Sequence, residues 1–488
     1  MSVLLSRLLA DDAALPRGAE DAAISGLTAD SRQVKPGYLF AALPGTKVDG
    51  AQFIPHAIKA GAAAVIAGRS ALVPKAHSIL IQSENPHQLF ARVASRFAGS
   101  QPDIVVAVTG TNGKTSVAAF VRQIWQSMGF RAASIGTVGI VGPSGEEYLA
   151  HTTPDPVKLH HTLAGLALDH VTHLAMEASS HGLAQFRLDG VRLAAGGFTN
   201  LTRDHLDYHA TFEDYFAAKM RLFSELLPEG AAAVVNADTE IAKDVVARAR
   251  AHGLRIFTVG EKGSTLKLVS AVRDGFGQRL VLASESGQHE IYLPLVGDFQ
   301  VSNALVAAGL VIATGGEEAL AIHALESLKG AKGRLDLVAH SAKGAPIFVD
   351  YAHTPDALEK AISALKPYAK GKLAVIFGAG GDRDKGKRPQ MGAIVARLAD
   401  IAYVTDDNPR SEDPAAIRAQ VMAACPGGID IGDRALAIRT AVDALEEGDI
   451  LLVAGKGHEP GQAIGGKVLP FSDHDAVGAA VAHEDYHG

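Results

Sequence analysis

A chain of 488 residues is too long for one ordinary hydrophobic core, and at roughly 100 to 200 residues per domain it predicts about three domains. Its 47% hydrophobic and 20% charged residues exclude a disordered or fibrous protein. The formal net charge of -7 argues against a nucleic-acid footprint over the whole surface, and the single cysteine, Cys425, excludes an intramolecular disulfide framework.

The first hundred residues predict a small α/β domain. Residues 1–15 indicate an amphipathic helix, because Ser6 and Arg7 interrupt the apolar positions, unlike in a secretory signal. Short apolar segments at 39–42 and 62–67 alternate with turn-rich pieces. No apolar run in the sequence approaches the ~18 residues needed to cross a bilayer, so we expect a cytoplasmic protein without membrane insertion.

A phosphate loop follows the apolar strand predicted at 104–109, and an apolar helix follows the loop. Glycines in such a loop let backbone N–H groups surround phosphate oxygens at a helix N-terminus, Lys114 adds charge, and the Thr115 hydroxyl can ligate Mg²⁺. The usual pattern has glycine where this chain has Val108, so the loop is a variant. Its residues are Gly110, Thr111, Asn112, Gly113, Lys114, Thr115 and Ser116.

The alternation of strands and helices continues beyond this loop and predicts a doubly wound, mostly parallel sheet. A long helix is expected over 211–227, and the strands are expected at 173–176, 195–199 and 231–235. Glu177 follows the first of these strands, where a carboxylate could reach a metal or its water shell. The polar segment 200–209 leaves two interpretations open, a metal site or a solvated loop.

The last third of the chain has four β-like runs, each followed by a polar motif. The runs are 347–349, 373–377, 401–405 and 450–454, and the motifs are 350–356, 378–389, 406–410 and 455–459. Because ligands bind beyond the carboxyl ends of parallel strands, we expect the motifs to converge on one sheet edge. Arginines there could fork onto a carboxylate, and acidic or amide groups could receive an ammonium group. The pattern predicts an amino-acid pocket, although any one motif alone could be a turn with surface charges.

Together these motifs resemble the Mur ligases of peptidoglycan synthesis over nearly the whole chain. The matching segments are 30–32, 36–37, 49–50, 110–116, 152–154, 177–182, 200–209, 333–334, 351–356, 380–389, 407–410 and 455–459. The resemblance implies three α/β domains. They are a small UDP-sugar-binding domain at 1–98, a central ATP-binding P-loop domain at 99–330, and a Rossmann-like amino-acid-binding domain at 331–488.

The resemblance also implies four groups of site residues. The UDP-muramoyl-dipeptide would contact Ser31, Thr46, Lys47, Val48, Thr152, Thr153, Ser179, Gln185 and Arg187. ATP would contact the phosphate loop together with Asn303, Arg334 and His353. Diaminopimelate would contact Arg383, Asp407, Asn408, Pro409, Arg410, Gly455 and Glu459. The catalytic group would be Lys114, Lys219, His209 and Glu177, with Mg²⁺ near Thr115, Glu177, His209 and Lys219.

Lys219 carries a further implication of the resemblance, namely that it is carbamylated. An ammonium group repels Mg²⁺, whereas a carbamate presents the anionic oxygens that this cation prefers. Without the resemblance, the sequence would indicate a solvated charge on a helix.

The activity implied is the ATP-dependent addition of meso-2,6-diaminopimelate to UDP-N-acetylmuramoyl-L-alanyl-D-glutamate through an acyl phosphate. Arg410 favours diaminopimelate, because L-lysine lacks the far carboxylate that a buried arginine would bind. The alternatives are a lysine-adding Mur ligase, a folylpolyglutamate or cyanophycin type of amide ligase, and a non-catalytic nucleotide-binding switch. We expect a monomer that binds small molecules and no nucleic acid.

Overall fold

The computed structural model describes residues 2–45, 48–71, 79–149, 151–202, 204 and 208–486. The chain forms two compact units, which we call unit 1 (residues 1–267 and 305–321) and unit 2 (residues 268–304 and 322–488). The expected N-terminal and central domains thus fall mainly in unit 1, and the bounds of the three domains stay a prediction.

The N-terminal part of unit 1 is a four-stranded parallel sheet with helices. Its elements are β1 (Val3–Leu4), α1 (Leu5–Leu9), β2 (Ala23–Ile24), β3 (Gly26–Thr28), β4 (Tyr38–Ala42), α2 (Ile54–Lys59), β5 (Ala64–Gly68), β6 (Ile79–Ser83) and α3 (Pro86–Ala98). The sheet order is β3-β4-β5-β6. The first helix is shorter than expected, because Val3 and Leu4 pair with β2 and Asp12 turns to bind Arg92 and Arg96 of α3.

The rest of unit 1 is built on a larger sheet that confirms the doubly wound fold. Its elements are β7 (Ile104–Thr109), α4 (Lys114–Ser127), β8 (Ala132–Gly136), β9 (Gly139–Gly142), β10 (Gly145–Glu147), α5 (Pro156–Leu168), β11 (His173–Glu177), α6 (Ser180–Ala184), β12 (Leu193–Phe198), α7 (Phe212–Arg221), β13 (Ala232–Asn236), α8 (Ala242–Ala251) and β14 (Arg255–Gly260). The strand order is β10-β9-β8-β11-β7-β12-β13-β14, and only the β8–β9–β10 connections are antiparallel. β7 therefore lies in the middle, with β11 and β12 beside it.

The helix expected over 211–227 ends earlier than predicted. The Thr211 side chain caps α7 by accepting a hydrogen bond from the Asp214 N–H at 3.0 Å, and α7 ends at Arg221. A π-helical turn (Leu222–Leu226) follows, with Leu222 and Phe223 buried. Turns of this kind frequently occur at functional sites, and this one directly follows the helix that carries Lys219.

The remaining strands and helices of the chain include the six strands of a sheet in unit 2. They are β15 (Leu266–Asp274), β16 (Gly277–Ser284), β17 (Gly287–Leu293), α9 (Asp298–Ala313), α10 (Glu318–His323), β18 (Asp336–His340), β19 (Pro346–Asp350), α11 (Pro355–Leu365), β20 (Leu373–Phe377), α12 (Lys387–Leu398), β21 (Ile401–Val404), α13 (Pro414–Met422), β22 (Ile429–Asp430), α14 (Arg434–Asp443), β23 (Ile450–Ala454), β24 (Gly461–Ile464), β25 (Lys467–Pro470) and α15 (Asp473–Ala482). Short 3₁₀ turns lie at Ser31–Gln33, Gly50–Phe53, Ala324–Ser327 and Lys366–Tyr368.

The six-stranded sheet has the order β18-β19-β23-β20-β21-β22, in which only β18 is antiparallel. Separate buried clusters pack α11, α12 and α13, and then α14 and α15, against its strands. The four predicted runs are the parallel strands β19, β20, β21 and β23. The carboxyl ends of these strands, and so the four polar motifs, share one edge of the sheet.

Within the described part of the chain, no helix is both long enough and apolar enough to cross a membrane.

Candidate active site

The phosphate loop between β7 and α4 has the backbone that an anion site requires. Gly110 has φ of 147° and Gly113, which precedes the first residue of α4, has φ of 86°. A Cβ atom on Gly110 would run into the side chain of Thr199. Close packing therefore requires glycine at 110, the left-handed backbone favours glycine at 113, and the N–H groups at the start of α4 form a site suited to phosphate.

The loop is tied to the segment that follows the neighbouring strand, β12. Thr199 Oγ1 donates to the Asn112 carbonyl at 2.6 Å, and the Asn112 N–H donates to Asn200 Oδ1 at 3.0 Å. The Thr111 hydroxyl lies 3.0 Å from the hydroxyl of buried Tyr215 on α7. Thr199 and Tyr215 were not predicted as site residues. The expected strand 195–199 includes Thr199, whereas β12 ends at Phe198, and only the pairing of β12 with β7 brings Thr199 to the loop.

Two lysines converge on one carbonyl oxygen of the loop. Lys114 Nζ donates to the Gly110 carbonyl at 3.0 Å and to the Thr111 carbonyl at 2.7 Å. Lys219 Nζ donates to the same Gly110 carbonyl at 2.6 Å, and its side chain is almost fully buried. The structure therefore places Lys114 and Lys219 together at the phosphate loop.

The environment of Lys219 favours its neutral amine. Burial lowers the pKa of Lys219 well below its ordinary value, and the charge of Lys114 acts in the same direction, while Asp204 opposes it. Lys219 Nζ also lies 4.4 Å from the centroid of the Tyr215 ring. A neutral amine is a nucleophile, so Lys219 differs chemically from the solvated helix charge that its local sequence indicates.

Glu177 is buried at the end of β11 and is held by the turn after β8. The Thr137 N–H donates to Glu177 Oε1 at 2.7 Å, and the Thr137 hydroxyl donates to Oε2 at 3.1 Å. A Cβ atom on Gly136 would run into the same carboxylate. Thr137 was not predicted, and it fixes the orientation of a carboxylate that was.

His209 is buried among aromatic rings, with its ring centroid 5.3 Å from that of Tyr215. Among the described residues, no three histidine, cysteine, aspartate or glutamate side chains cluster in the manner of a metal centre. Mg²⁺ does not need such a cluster, because it commonly uses one or two carboxylates, water and the phosphates of its substrate. The buried Glu177 carboxylate and the Thr115 hydroxyl at the loop fit that limited ligand set.

The residues expected to bind the dipeptide form one hydrogen-bonded network. The Thr153 and Ser179 hydroxyls lie 3.0 Å apart, and the Thr152 hydroxyl lies 3.0 Å from that of Thr137, which binds Glu177. Arg187 donates to the Thr153 carbonyl and to the Gln185 side chain, both at 2.6 Å. These residues therefore form a continuous polar network that reaches Glu177.

Four further residues were expected at the UDP end. Ser31 begins a 3₁₀ turn that the Asp30 carboxylate caps by accepting the Arg32 N–H at 3.0 Å. Val48 is 49% exposed and so is accessible to a ligand. Thr46 and Lys47 lie outside the described residues.

In unit 2, the other residues expected at ATP are close to one another. The Arg334 guanidinium lies 4.8 Å from the centroid of the Tyr351 ring, and the His353 ring lies 4.5 Å from it on centroids. The Gln300 side chain donates to the Arg334 carbonyl at 3.3 Å and accepts from Asn303 at 3.1 Å. Arg334 and His353 thus both lie against Tyr351, and Gln300 connects Asn303 to Arg334.

The expected amino-acid pocket contains a buried lysine that was not predicted. Asn408 Nδ2 donates to Glu459 Oε2 at 2.9 Å. Lys456 Nζ, fully buried, donates to Asn408 Oδ1 at 3.1 Å and to Glu459 Oε2 at 3.2 Å. Asn408 and Glu459 therefore lie together as expected, and Lys456 holds their side chains in place by hydrogen bonds to both.

The two arginines expected at the pocket have different environments. Arg410 has the left-handed φ of 54°, and its Nη1 donates to the Gly381 carbonyl at 2.8 Å. Arg383 is exposed. The buried arginine of the same motif is Arg388, which binds Glu412 at 2.9 Å and, by this hydrogen bonding, lowers the pKa of that carboxyl to about 2.

The wall behind the pocket is a buried ion pair. Arg434 binds Asp473 at 2.7 Å, and Arg434 Nη2 donates to the Ala454 carbonyl at 3.0 Å, next to Gly455. Gly455 has φ of 121°, and a Cβ atom there would lie 2.6 Å from Asp407 Oδ2. Gly455 is therefore required for the approach of Asp407, the first residue of the motif that ends at Arg410.

Comparisons with known proteins show which family the chain resembles. Three family models match: "Mur ligase family, catalytic domain" at residues 23–98, "Mur ligase middle domain" at 108–311 and "Mur ligase, glutamate ligase domain" at 333–457. The chain is 53% identical to the UDP-N-acetylmuramoyl-L-alanyl-D-glutamate--2,6-diaminopimelate ligase of Bradyrhizobium diazoefficiens, over 98% of this chain and 99% of that protein.

Solved structures show the same likeness. A structure of a ligase with the same name is 32% identical, covers 99% of both chains and has a TM-score of 0.73. A folylpolyglutamate synthase of Mycobacterium tuberculosis is 18% identical, covers 74% of this chain and 90% of its own, and has a TM-score of 0.59. The chain belongs to the Mur ligase family.

Proposed function

We propose that the protein is an ATP-dependent ligase that adds meso-2,6-diaminopimelate to the D-glutamyl γ-carboxylate of UDP-N-acetylmuramoyl-L-alanyl-D-glutamate, in peptidoglycan synthesis. The observation that carries the proposal is the state of Arg410. Its Nη1 is anchored on the Gly381 carbonyl, while Nε and Nη2 have no hydrogen-bond partner within the described residues. A guanidinium held in this way can still fork onto a carboxylate, such as the one that distinguishes diaminopimelate from lysine.

The proposed reaction has two steps. The γ-carboxylate attacks the γ-phosphorus of ATP, forming an acyl phosphate and releasing ADP, and the incoming amine then attacks the acyl carbon and expels phosphate. The phosphate loop would bind the phosphates, and Lys114 would neutralise their charge, so that catalysis is mainly positioning. The polar network of Thr153, Ser179 and Arg187 would hold the dipeptide next to the phosphates.

We also propose that Mg²⁺ is held near Thr115, Glu177, His209 and Lys219, with Lys219 as a carbamate. When bound, Mg²⁺ would supply neutralisation of the phosphate charge. The lowered pKa of Lys219 supports the modification, because its neutral amine can attack CO₂ to form an N–C bond and release one proton. Incubation with ¹³C-bicarbonate should give a carbamate carbon signal that Lys219→Gln abolishes and that the control Lys243→Gln, on the exposed side of α8, retains. A signal that survives Lys219→Gln would refute the assignment.

Phosphate release in a coupled assay tests the function. Release should require ATP, the UDP-linked dipeptide and meso-diaminopimelate together. Equal release with L-lysine would favour the lysine-adding alternative, and release with glutamate and a folate would favour the folylpolyglutamate type. ATP binding with no release for any amine would favour the nucleotide switch. The cytoplasmic location and the monomeric state stay predictions.

Arg410→Ala tests the assigned specificity. The change should raise KM for diaminopimelate far more than KM for ATP, because the guanidinium lies at the edge of unit 2 that the four motifs share. Arg439→Ala is the matched control, since this arginine on α14 is 46% exposed and pairs with Asp485. Equal losses for both substrates would contradict the role.

A further inference from the structure

The hairpin of β24 and β25 lies directly against the Asp-Asn-Pro-Arg motif at 407–410. Its strands pair in antiparallel register from Gly461 opposite Pro470 to Ile464 opposite Lys467. Gly465 and Gly466 have φ of 56° and 78°, so the strands are joined by a two-residue turn of the kind that glycine favours. None of the polar motifs identified from the sequence includes this hairpin.

The hairpin binds both backbone groups of Arg410. The Arg410 N–H donates to the Ala463 carbonyl at 2.8 Å, and the Arg410 carbonyl accepts from the Gly465 N–H at 2.7 Å. Arg410 thus pairs with Ile464 in the manner of a parallel strand. Since a residue with a side chain seldom adopts φ of 54°, these two bonds hold Arg410 in a conformation that its own preference does not supply.

Two further contacts fix the hairpin to the rest of the motif. The Ala463 N–H donates to Asn408 Oδ1 at 2.9 Å. The Gln462 side chain donates from Nε2 to the Asp407 carbonyl at 2.7 Å and to the Asp406 carbonyl at 3.3 Å. Gln462 is therefore the hairpin's own side-chain anchor, and it bonds to backbone carbonyls of the motif and not to side chains that are expected to contact substrate.

We infer that this hairpin is a specificity element for the amine substrate and that Gln462 is its positioning residue. The hairpin fixes the backbone from which the Arg410 guanidinium projects, and the guanidinium in turn selects an amine that carries a distal carboxylate. The inference rests on the proposed function. It assigns substrate selection to a segment that itself supplies no group to the predicted pocket.

Two substitutions at Gln462 test the inference. Gln462→Ala removes the two hydrogen bonds, and Gln462→Glu places a carboxylate against two carbonyl oxygens. We expect KM for meso-diaminopimelate to rise about fivefold in the alanine variant, the effect of one net hydrogen bond, and by more in the glutamate variant. KM for ATP should stay unchanged, and the ratio of kcat/KM for diaminopimelate over L-lysine should fall.

Lys467→Ala is the matched control, because Lys467 is exposed on the same hairpin opposite Ile464. Its KM values for diaminopimelate and for ATP should equal those of the protein without substitutions. If KM for diaminopimelate in both Gln462 variants stays within about twofold of its value in the protein without substitutions, the inference is overturned. A typical net hydrogen bond supplies a larger change than that. Proportional losses for ATP and diaminopimelate would also overturn it, because they indicate a general structural defect. If the unmodified protein does not use diaminopimelate, the proposed function itself fails, which is a separate result.

Discussion

The buried pair of Arg434 and Asp473 allows a prediction of stability. Both side chains are 0% exposed, and two hydrogen bonds of 2.7 and 2.8 Å join them. Burial alone lowers the pKa of Arg434, but the charge and hydrogen bonds of Asp473, together with the charges of Asp407 and Glu459, outweigh it and the pKa is raised. Asp473→Asn removes that charge at nearly constant shape. Because a guanidinium stays protonated in proteins, the penalty must appear as lost stability rather than as deprotonation.

The expected size of the loss follows from these contacts. Removing one partner of a buried ion pair costs about 3–5 kcal/mol. An asparagine side chain still offers one acceptor to Arg434, which favours the lower end of the range. Asp407 and Glu459 also raise the pKa of Arg434, so their charges offset part of the loss. We therefore expect Asp473→Asn to reduce the free energy of unfolding by about 3 kcal/mol.

Urea unfolding followed by circular dichroism measures the effect, and a double variant sharpens it. Arg434→Met with Asp473→Leu replaces the pair by apolar side chains, which is often neutral or stabilising. The double variant should therefore be more stable than Arg434→Met alone and more stable than Asp473→Leu alone. A loss below about 1 kcal/mol for Asp473→Asn, the size expected of an exposed pair, would refute the reasoning. A double variant no more stable than Arg434→Met alone or Asp473→Leu alone would refute it as well.

Two further predictions concern unit 1. Gly110→Ala should abolish ATP binding measured by calorimetry, because the added Cβ runs into Thr199. Gly129→Ala is the control, since Gly129 has φ of 88° but open space around the added Cβ. Equal losses of ATP binding in the two variants would contradict the steric reason. Burial lowers the pKa of His160 from 6.5 to about 4, so the unfolded chain takes up the proton first and stability falls as pH drops from 6.5 towards 4. The free energy of unfolding of the protein without substitutions exceeds that of His160→Gln by an amount that should shrink by about 2 kcal/mol from pH 7 to pH 5. A difference that stays constant with pH would disprove this linkage.

Much of the fold could be predicted because its central strands are short apolar runs followed at once by polar residues. The strands at 104–109, 373–377 and 450–454 have the predicted bounds. The helix over 211–227 was predicted too long, because its apolar residues continue past Arg221 while its backbone changes to a π-helical turn. Periodicity marks which side chains are buried, and it carries no information on this change of hydrogen-bond register.

The candidate site was predicted less completely, because burial and pairing are set through space. Arg383 and Arg388 occupy the same motif, yet Arg383 is exposed while Arg388 is buried against Glu412. Nothing in the local pattern separates the two. Lys456 and Arg434 likewise resemble ordinary surface charges until their partners, distant in the sequence, are brought beside them.

The arrangement around the Gly110 carbonyl connects the two proposals made for unit 1. One carbonyl oxygen accepts hydrogen bonds from both Lys114 and Lys219, and because this neutral oxygen does not compensate a second ammonium charge, the charge of Lys114 helps to keep buried Lys219 a neutral amine. Asp204 opposes only part of the resulting pKa shift of Lys219. Adding anions lowers this electrostatic cost, whether they are ATP phosphates beside Lys114 or a carbamate formed on Lys219 itself. The charge of Lys114 thus favours both proposed events at one place, because each of them brings an anion to the folded loop.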